Sequence, residues 1–288
     1  MGTPRDYKNT IVPNWCPGCG DYGIQNAIAA VCSQMGWANE DITLISGIGC
    51  SSRIGGYQYC YGAHTTHGRA LPFAQGIKCA NKDTHMIVCS GDGDSYAIGL
   101  GHAMHAMKRN MDMTYLVFDN QVYGLTKGQT SPASSKGFVT KTTPDGNPLT
   151  PLDAPSMAIA AGATFVAQTY AVDMKTMTEI IKAAVLHRGF SYVNIFTPCV
   201  TFNRFNTFQW YNEHLKKLDD LRTSYDRTSK AEAFSLLAET DGLVTGILYE
   251  EKEAVPFGDI VPSSDVALMD HVEKPSDALF AELCKEFR

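Results

Sequence analysis

Apolar side chains recur along this chain in two rhythms that replace one another in turn. Ile24, Ile28, Val31 and Met35 fall three or four residues apart, so residues 20–35 read as a helix with one apolar face. "ITLISGIGC" (42–50) is a short β-branched run closed by glycines, which predicts a strand and a tight turn. "THMIVCSGDGD" (84–94) repeats that form, and Leu100, Met104 and Met107 then return at helical spacing. Residues 113–120 and 163–168 read as further strands. Residues 173–188 read as a helix with Met177, Ile180, Ile181 and Ala184 on one side, and 191–199 as the last strand. Continuously apolar strands alternating with helices predict a doubly wound parallel α/β sheet. The stretch 126–156 is rich in Gly, Ser, Thr and Pro and has no period; its length predicts a binding loop or lid. From about residue 213 the charge density rises and the rhythm stops. The expected division is a domain at 1–212 and a C-terminal extension at 213–288 that wraps the domain or a partner subunit.

Bulk properties narrow the picture. With 288 residues and 44% hydrophobic content, the chain can bury a full core. A net charge of −6 argues against a nucleic-acid partner. The opening MGTPRDYKNT is polar and unlike a secretory signal, Asp6 breaks the myristoylation pattern, and no apolar run reaches the ~20 residues of a membrane helix. Nine cysteines in such a chain point to a reducing cytoplasm, and the odd count excludes complete intramolecular pairing.

Two constellations carry chemistry. "GDGDSYAIG" (91–99) joins a strand to a helix, a place where glycines admit a close ligand and a helix N-terminus favours an anion. Asp92 would repel a bare phosphate, unless a divalent metal sits between them. The next strand ends at Asp119 and Asn120, on the same sheet edge. A carboxylate, an amide oxygen, one backbone carbonyl, diphosphate oxygens and a water would complete an octahedral Mg²⁺ site.

The cysteines form the second constellation. Cys16 and Cys19 lie in a Gly/Pro-rich turn, whereas Cys50 and Cys199 each follow a strand and share the edge that carries Gly91-Asp92-Gly93. Cys32 and Cys89 read as core, Cys79 as helical and Cys284 as part of the tail; Cys60 is the rival fourth ligand. Four thiolates suit a 4Fe–4S cluster or a structural zinc.

Gly91-Asp92-Gly93 followed after 26 residues by Asn120 resembles the thiamine diphosphate fingerprint, with Asp119 in place of the first Asn of its pair. That resemblance implies that Asp92, Asn120 and the Val122 carbonyl hold Mg²⁺. More widely, "WCPGCG", "SGIGCSSRIGGY", "HTTHGRALPFAQGIK", "GDGDSYAIGLGH", "DNQVYGLTKGQTSP" and "FTPCVT" resemble, in order, the β subunit of 2-oxoacid:ferredoxin oxidoreductases over about residues 10–215. "YGLTKGQTSP" looks like the 2-oxoglutarate or broad 2-oxoacid branch. The resemblance implies a thiamine diphosphate-binding fold and one 4Fe–4S cluster on Cys16, Cys19, Cys50 and Cys199. It implies cofactor contacts from Gly49, Ser51, His67, Gly91, Asp92, Gly93, Asp94, Asn120, Val122, Gly124 and Leu125. The implied reaction is oxidative decarboxylation of a 2-oxoacid with coenzyme A and ferredoxin, or its reversal. A separate α subunit would supply the pyrimidine-binding domain and the activating glutamate in an α2β2 heterotetramer. Arg53 and Lys127 are candidates for substrate carboxylates, His67 for donating to the diphosphate or relaying protons, and His64 reads as structural. Rival readings are a cluster-free thiamine decarboxylase or synthase with a zinc knuckle, a pyruvate-specific subunit, and a non-catalytic scaffold.

Overall fold

A computed structural model describes residues 2–260, Met269 and residues 276–286. Its strands are β1 (Ile42–Ser46), β2 (Tyr61–His64), β3 (His85–Gly91), β4 (Met113–Asp119), β5 (Phe165–Tyr170), β6 (Phe190–Phe196), β7 (Lys216–Lys217) and β8 (Val244–Glu250). They form one sheet in the order β2-β1-β3-β4-β6-β5-β8-β7. Every pairing is parallel except that between β5 and β8.

The helices are α1 (Asp21–Met35), α2 (Ala70–Ala80), α3 (Leu100–Lys108), α4 (Ala154–Ala161), α5 (Met174–Leu186), α6 (Phe208–His214), α7 (Leu218–Leu221) and α8 (Lys230–Glu239). Phe257–Ile260 and Asp277–Glu286 are helical too. α1 and α5 cover one face of the sheet, while α2, α3, α4 and α8 cover the other. Alternate strand residues feed the two cores: Met86 and Val88 face α2 and α3, whereas Ile87 and Cys89 face α1. α5 buries Met177, Ile180, Ile181 and Ala184, the face its period predicts, and Asp173 caps it by accepting the Thr176 N–H at 3.1 Å. Each large side chain so buried contributes about 1.5–3 kcal/mol.

The doubly wound sheet thus stands, with four amendments. β2 went unread because "YGAH" has no apolar signal; it is an exposed edge strand. α3 buries Ala103, Ala106 and Met107 instead of Leu100 and Met104, because small residues let it pack close to its neighbours. The last parallel strand stops at Phe196, two residues before Pro198, which has no N–H for a ladder. The α/β rhythm also resumes after residue 213: α8 and β8 join the same sheet and core, and β8 escapes notice because Gly246 interrupts its apolar run. The loop at 126–156 is ordered against the domain by its own side chains. Asn147 Nδ2 donates to the Ser134 carbonyl at 2.9 Å, and Ala133 and Phe138 are buried.

From β1 the chain runs to β2 at one edge and then crosses back to β3 on the other side of β1. Such a reversal opens a crevice at the carboxyl ends of the strands. β8 tests how far this fold extends. Leu248→Ala removes a fully buried side chain and is expected to cost about 2–5 kcal/mol in denaturant unfolding. Leu221→Ala, at a 42% exposed position, is expected to stay within about 0.5 kcal/mol. Equal small effects would show that β8 contributes no core.

Candidate functional site

β3 delivers Gly91, Asp92 and Gly93 to the crevice, and a single π-helical turn, Asp94–Ile98, follows. Such turns concentrate at functional sites. A Cβ on Gly93 would lie 2.2 Å from the Tyr123 ring, and Tyr123 donates its hydroxyl to the Gly93 carbonyl at 3.2 Å. Only glycine permits this close join between the β3 turn and the segment after β4.

Asp92 is buried. Its Oδ1 accepts the Asn120 N–H at 3.3 Å, while Oδ2 has no donor among the described residues. Asp119 lies beside it, with Oδ2 accepting from Asn194 Nδ2 at 3.1 Å and Oδ1 without a donor among the described residues. Burial raises the affinity of both carboxyls for protons, and the Asp119 charge raises that of Asp92 further. Ser131 and the Asn120 N–H offset part of this at Asp92. A buried acceptor without a donor is costly, and a divalent cation would satisfy it. Asn120 Oδ1 accepts the Val122 N–H at 3.1 Å, and the Asn120 carbonyl accepts Asn203 Nδ2 at 3.2 Å. The donor set therefore fits Mg²⁺: a carboxylate oxygen in need of charge next to an amide oxygen held in a tight turn. Asn194 and Asn203, which position Asp119 and Asn120, carried no sequence signal.

The segment Asn120–Gly124 also reaches the cysteines. Cys16, Cys19, Cys50 and Cys199 line one cavity of about 280 Å³, together with Asp21, Arg53, Asn120, Gly124, Leu125 and Lys127. A Cβ on Gly124 would lie 3.5 Å from Cys50 Sγ and 3.8 Å from Cys199 Sγ. Trp15 Nε1 donates to the Cys50 carbonyl at 2.6 Å, which ties the Cys16–Cys19 turn to the end of β1. The Phe202 N–H points to Cys199 Sγ at 3.4 Å and the Thr201 hydroxyl to Cys16 Sγ at 3.2 Å. Burial pushes the Cys50 thiol up to about 11, and burial with the Asp21 charge pushes Cys19 up as well. A metal taken up here must displace those protons. Among the described residues no three His, Cys, Asp or Glu side chains close on a single ion; the four sulfurs line a wider space.

The remaining cysteines stand elsewhere. Cys60 packs with buried Cys32 and Cys89 in the α1-side core, and Cys79 and Cys284 are exposed. Asp21, which the sequence reading passed over, is buried, neither oxygen has a donor among the described residues, and burial lifts its carboxyl to about 7. Its only sequence signal was its place directly after CPGCG.

The other candidates divide between the two ends of the site. Exposed Arg53 and Lys127 and half-exposed Leu125 belong to the thiol end. Ser51 is buried under the β3 turn, 2.8 Å from where a Gly91 Cβ would stand, and Gly49 has open space at φ +131°. His64 is satisfied structurally, its Nδ1 lying 3.1 Å from both Ser46 Oγ and the Ser52 carbonyl oxygen. His67 meets Asp94, whose Oδ1 is taken up by donors of this chain.

The buried carboxyl pair gives a pH dependence. Both groups bind protons more tightly in the fold than at their ordinary value of 3.8. Their protonation stabilises the metal-free fold fully below that value, and the stability is lost as pH rises through the raised values. Asp119→Asn in chelator should therefore match the wild type in thermal midpoint at about pH 4 and exceed it at about pH 8. A constant difference across that range would show that the carboxyl is not strained.

The chain is similar to known proteins over most of its length. The family described as thiamine pyrophosphate enzyme, C-terminal TPP binding domain, matches residues 47–195. The family that describes the C-terminal part of the pyruvate ferredoxin oxidoreductase beta subunit matches residues 199–265. A 2-oxoacid:ferredoxin oxidoreductase subunit beta from Sulfolobus sp is 38% identical over 90% of this chain and 88% of its own length. A 2-oxoglutarate synthase subunit KorB from Methanocaldococcus jannaschii is 41% identical over 67% of this chain and 72% of its own. The solved 2-oxoglutarate:ferredoxin oxidoreductase from Magnetococcus marinus, with 2-oxoglutarate, coenzyme A and succinyl-CoA bound, superimposes with a TM-score of 0.86. It is 39% identical, covering 89% of this chain and 87% of that one. The chain belongs to the family of 2-oxoacid:ferredoxin oxidoreductase β subunits.

Proposed function

We propose that this subunit serves the oxidative decarboxylation of 2-oxoglutarate with coenzyme A, yielding succinyl-CoA and passing electrons to ferredoxin through a 4Fe–4S cluster. One observation carries the reading: the short segment Asn120–Gly124 is bonded to the donor-starved carboxylate at one end and lines the four-cysteine cavity at the other. A cofactor that releases electrons and a centre that accepts them would thus share one wall.

The residues divide the work. Asp92, Asn120 and the Val122 carbonyl hold Mg²⁺, which offsets the diphosphate charge beside acidic groups. Thiamine diphosphate, when bound, supplies the electron sink for loss of CO₂. Gly91 and Gly93 bring the backbone close to the diphosphate, and Gly49, Ser51, Gly124 and Leu125 shape the space next to it. Arg53 and Lys127 offer a guanidinium and an ammonium to the two carboxylates of the substrate. Cys16, Cys19, Cys50 and Cys199 each give one thiolate to the cluster. An α subunit supplies the pyrimidine-binding domain and the activating glutamate, in an α2β2 assembly of the cytoplasm. The C-terminal segment beyond the sheet adds to the interface between the two subunits. The KorB relatives and the 2-oxoglutarate-bound neighbour support the choice of substrate.

The test is metal and sulfide analysis of the complex, co-expressed with its partner and purified without air. The wild type is expected to carry iron and sulfide with brown absorbance. Cys16→Ser, Cys19→Ser, Cys50→Ser and Cys199→Ser should each lose most of it, whereas Cys60→Ser keeps it. Zinc in place of iron, or full iron in Cys199→Ser, would overturn the assignment.

A further inference from the structure

Asp94 gathers two separate segments on one carboxylate oxygen. Its Oδ1 accepts the Ile48 N–H at 3.1 Å from the turn after β1 and the Gly68 N–H at 2.7 Å. It also meets His67 Nδ1. Asp94 is 3% exposed, and a Cβ on Gly47 would lie 1.8 Å from its Oδ2, so the chain leaves this carboxylate no room to turn. His67 itself is 39% exposed in its side chain. Its ring stands edge-on to Tyr123, with centroids 6.3 Å apart, and Tyr123 is the residue bonded to the Gly93 carbonyl. The imidazole therefore borders the turn proposed to hold the diphosphate.

We infer that Asp94 is a positioning residue that fixes His67 as the Nδ1–H tautomer and makes its Nε2 the proton acceptor of this site. A carboxylate oxygen that already accepts two backbone N–H groups can only accept again, so Nδ1 must carry the hydrogen. Nε2 has no protein partner among the described residues. The orientation of an imidazole by a buried carboxylate is the arrangement that general-base histidines use. In the step assigned to it, a reacting group of the substrate gives one proton to Nε2. The imidazolium is held by Asp94 and returns that proton to substrate or solvent. Only N–H and donor–H bonds change, and no electron is transferred.

This inference rests on the proposed function, and its first readout is independent of it. In the unloaded complex labelled with ¹⁵N at histidine, His67 is expected to show a protonated Nδ1 and a bare Nε2. Asp94→Asn keeps an oxygen for the Ile48 and Gly68 N–H groups and removes the charge. It should lower kcat tenfold or more, with KM for the 2-oxoacid and the Kd for thiamine diphosphate within threefold. His67→Ala should lose activity comparably and regain at least fivefold in added imidazole. A protonated Nε2 in the wild type, an unchanged kcat in Asp94→Asn, loss of cofactor binding in that variant, or failure of imidazole rescue would each overturn this role. A wild-type complex that binds no thiamine diphosphate would overturn the proposed function itself while leaving the tautomer measurement standing.

Discussion

The site depends on one unpaid electrostatic debt: a carboxylate oxygen on Asp92, buried away from water, with no donor among the described residues. Protein interiors rarely leave such a group alone, because it loses its hydration and gains nothing in return. Here a second carboxyl, Asp119, stands beside it and makes its ionisation harder. The strain is tolerated because the surroundings hold both groups in place. Asn194 bonds Asp119 from the next strand, and Tyr96 and Gln168 hold Asn194 in turn. A divalent cation would resolve the conflict.

The sheet decides where that cation would act. Parallel strands end on one edge, so β1, β3, β4 and β6 deliver the turn at Gly47, the Gly91–Gly93 turn, Asn120 and Cys199 to the same rim. Trp15 fastens the N-terminal cysteine turn to that rim. Residues far apart in sequence meet there because of the topology, with little help from local preference. The thiol cavity and the buried Asp92 carboxyl are thus joined through Asn120.

Much of this was legible in the sequence. Strand and helix periods located β1, β3, β4, β5 and β6 and the buried face of α5. The Gly91-Asp92-Gly93 and Asn120 spacing brought Asp92 and Asn120 together, and the position of Cys50 and Cys199 after strands put them with Cys16 and Cys19. What escaped reading has physical causes. β2 lies on an exposed edge and needs no apolar pattern, and β8 pairs antiparallel with a glycine in its middle. Asn194, Asn203 and Asp21 act through burial and through distances between strands, which no local pattern encodes. Asp94 was read as a cofactor contact; its Oδ1 is shared between two turns of the chain itself, at Ile48 and at His67-Gly68, which no local pattern showed.

The central claim is that Asp92 is held strained for a metal that carries the diphosphate. Calorimetric titration of thiamine diphosphate into the complex, with and without Mg²⁺, tests it most directly. The account predicts Mg²⁺-dependent binding at one cofactor per copy of this chain in the wild type, and no detectable binding in Asp92→Ala with iron content unchanged. Normal stoichiometry in Asp92→Ala would contradict it.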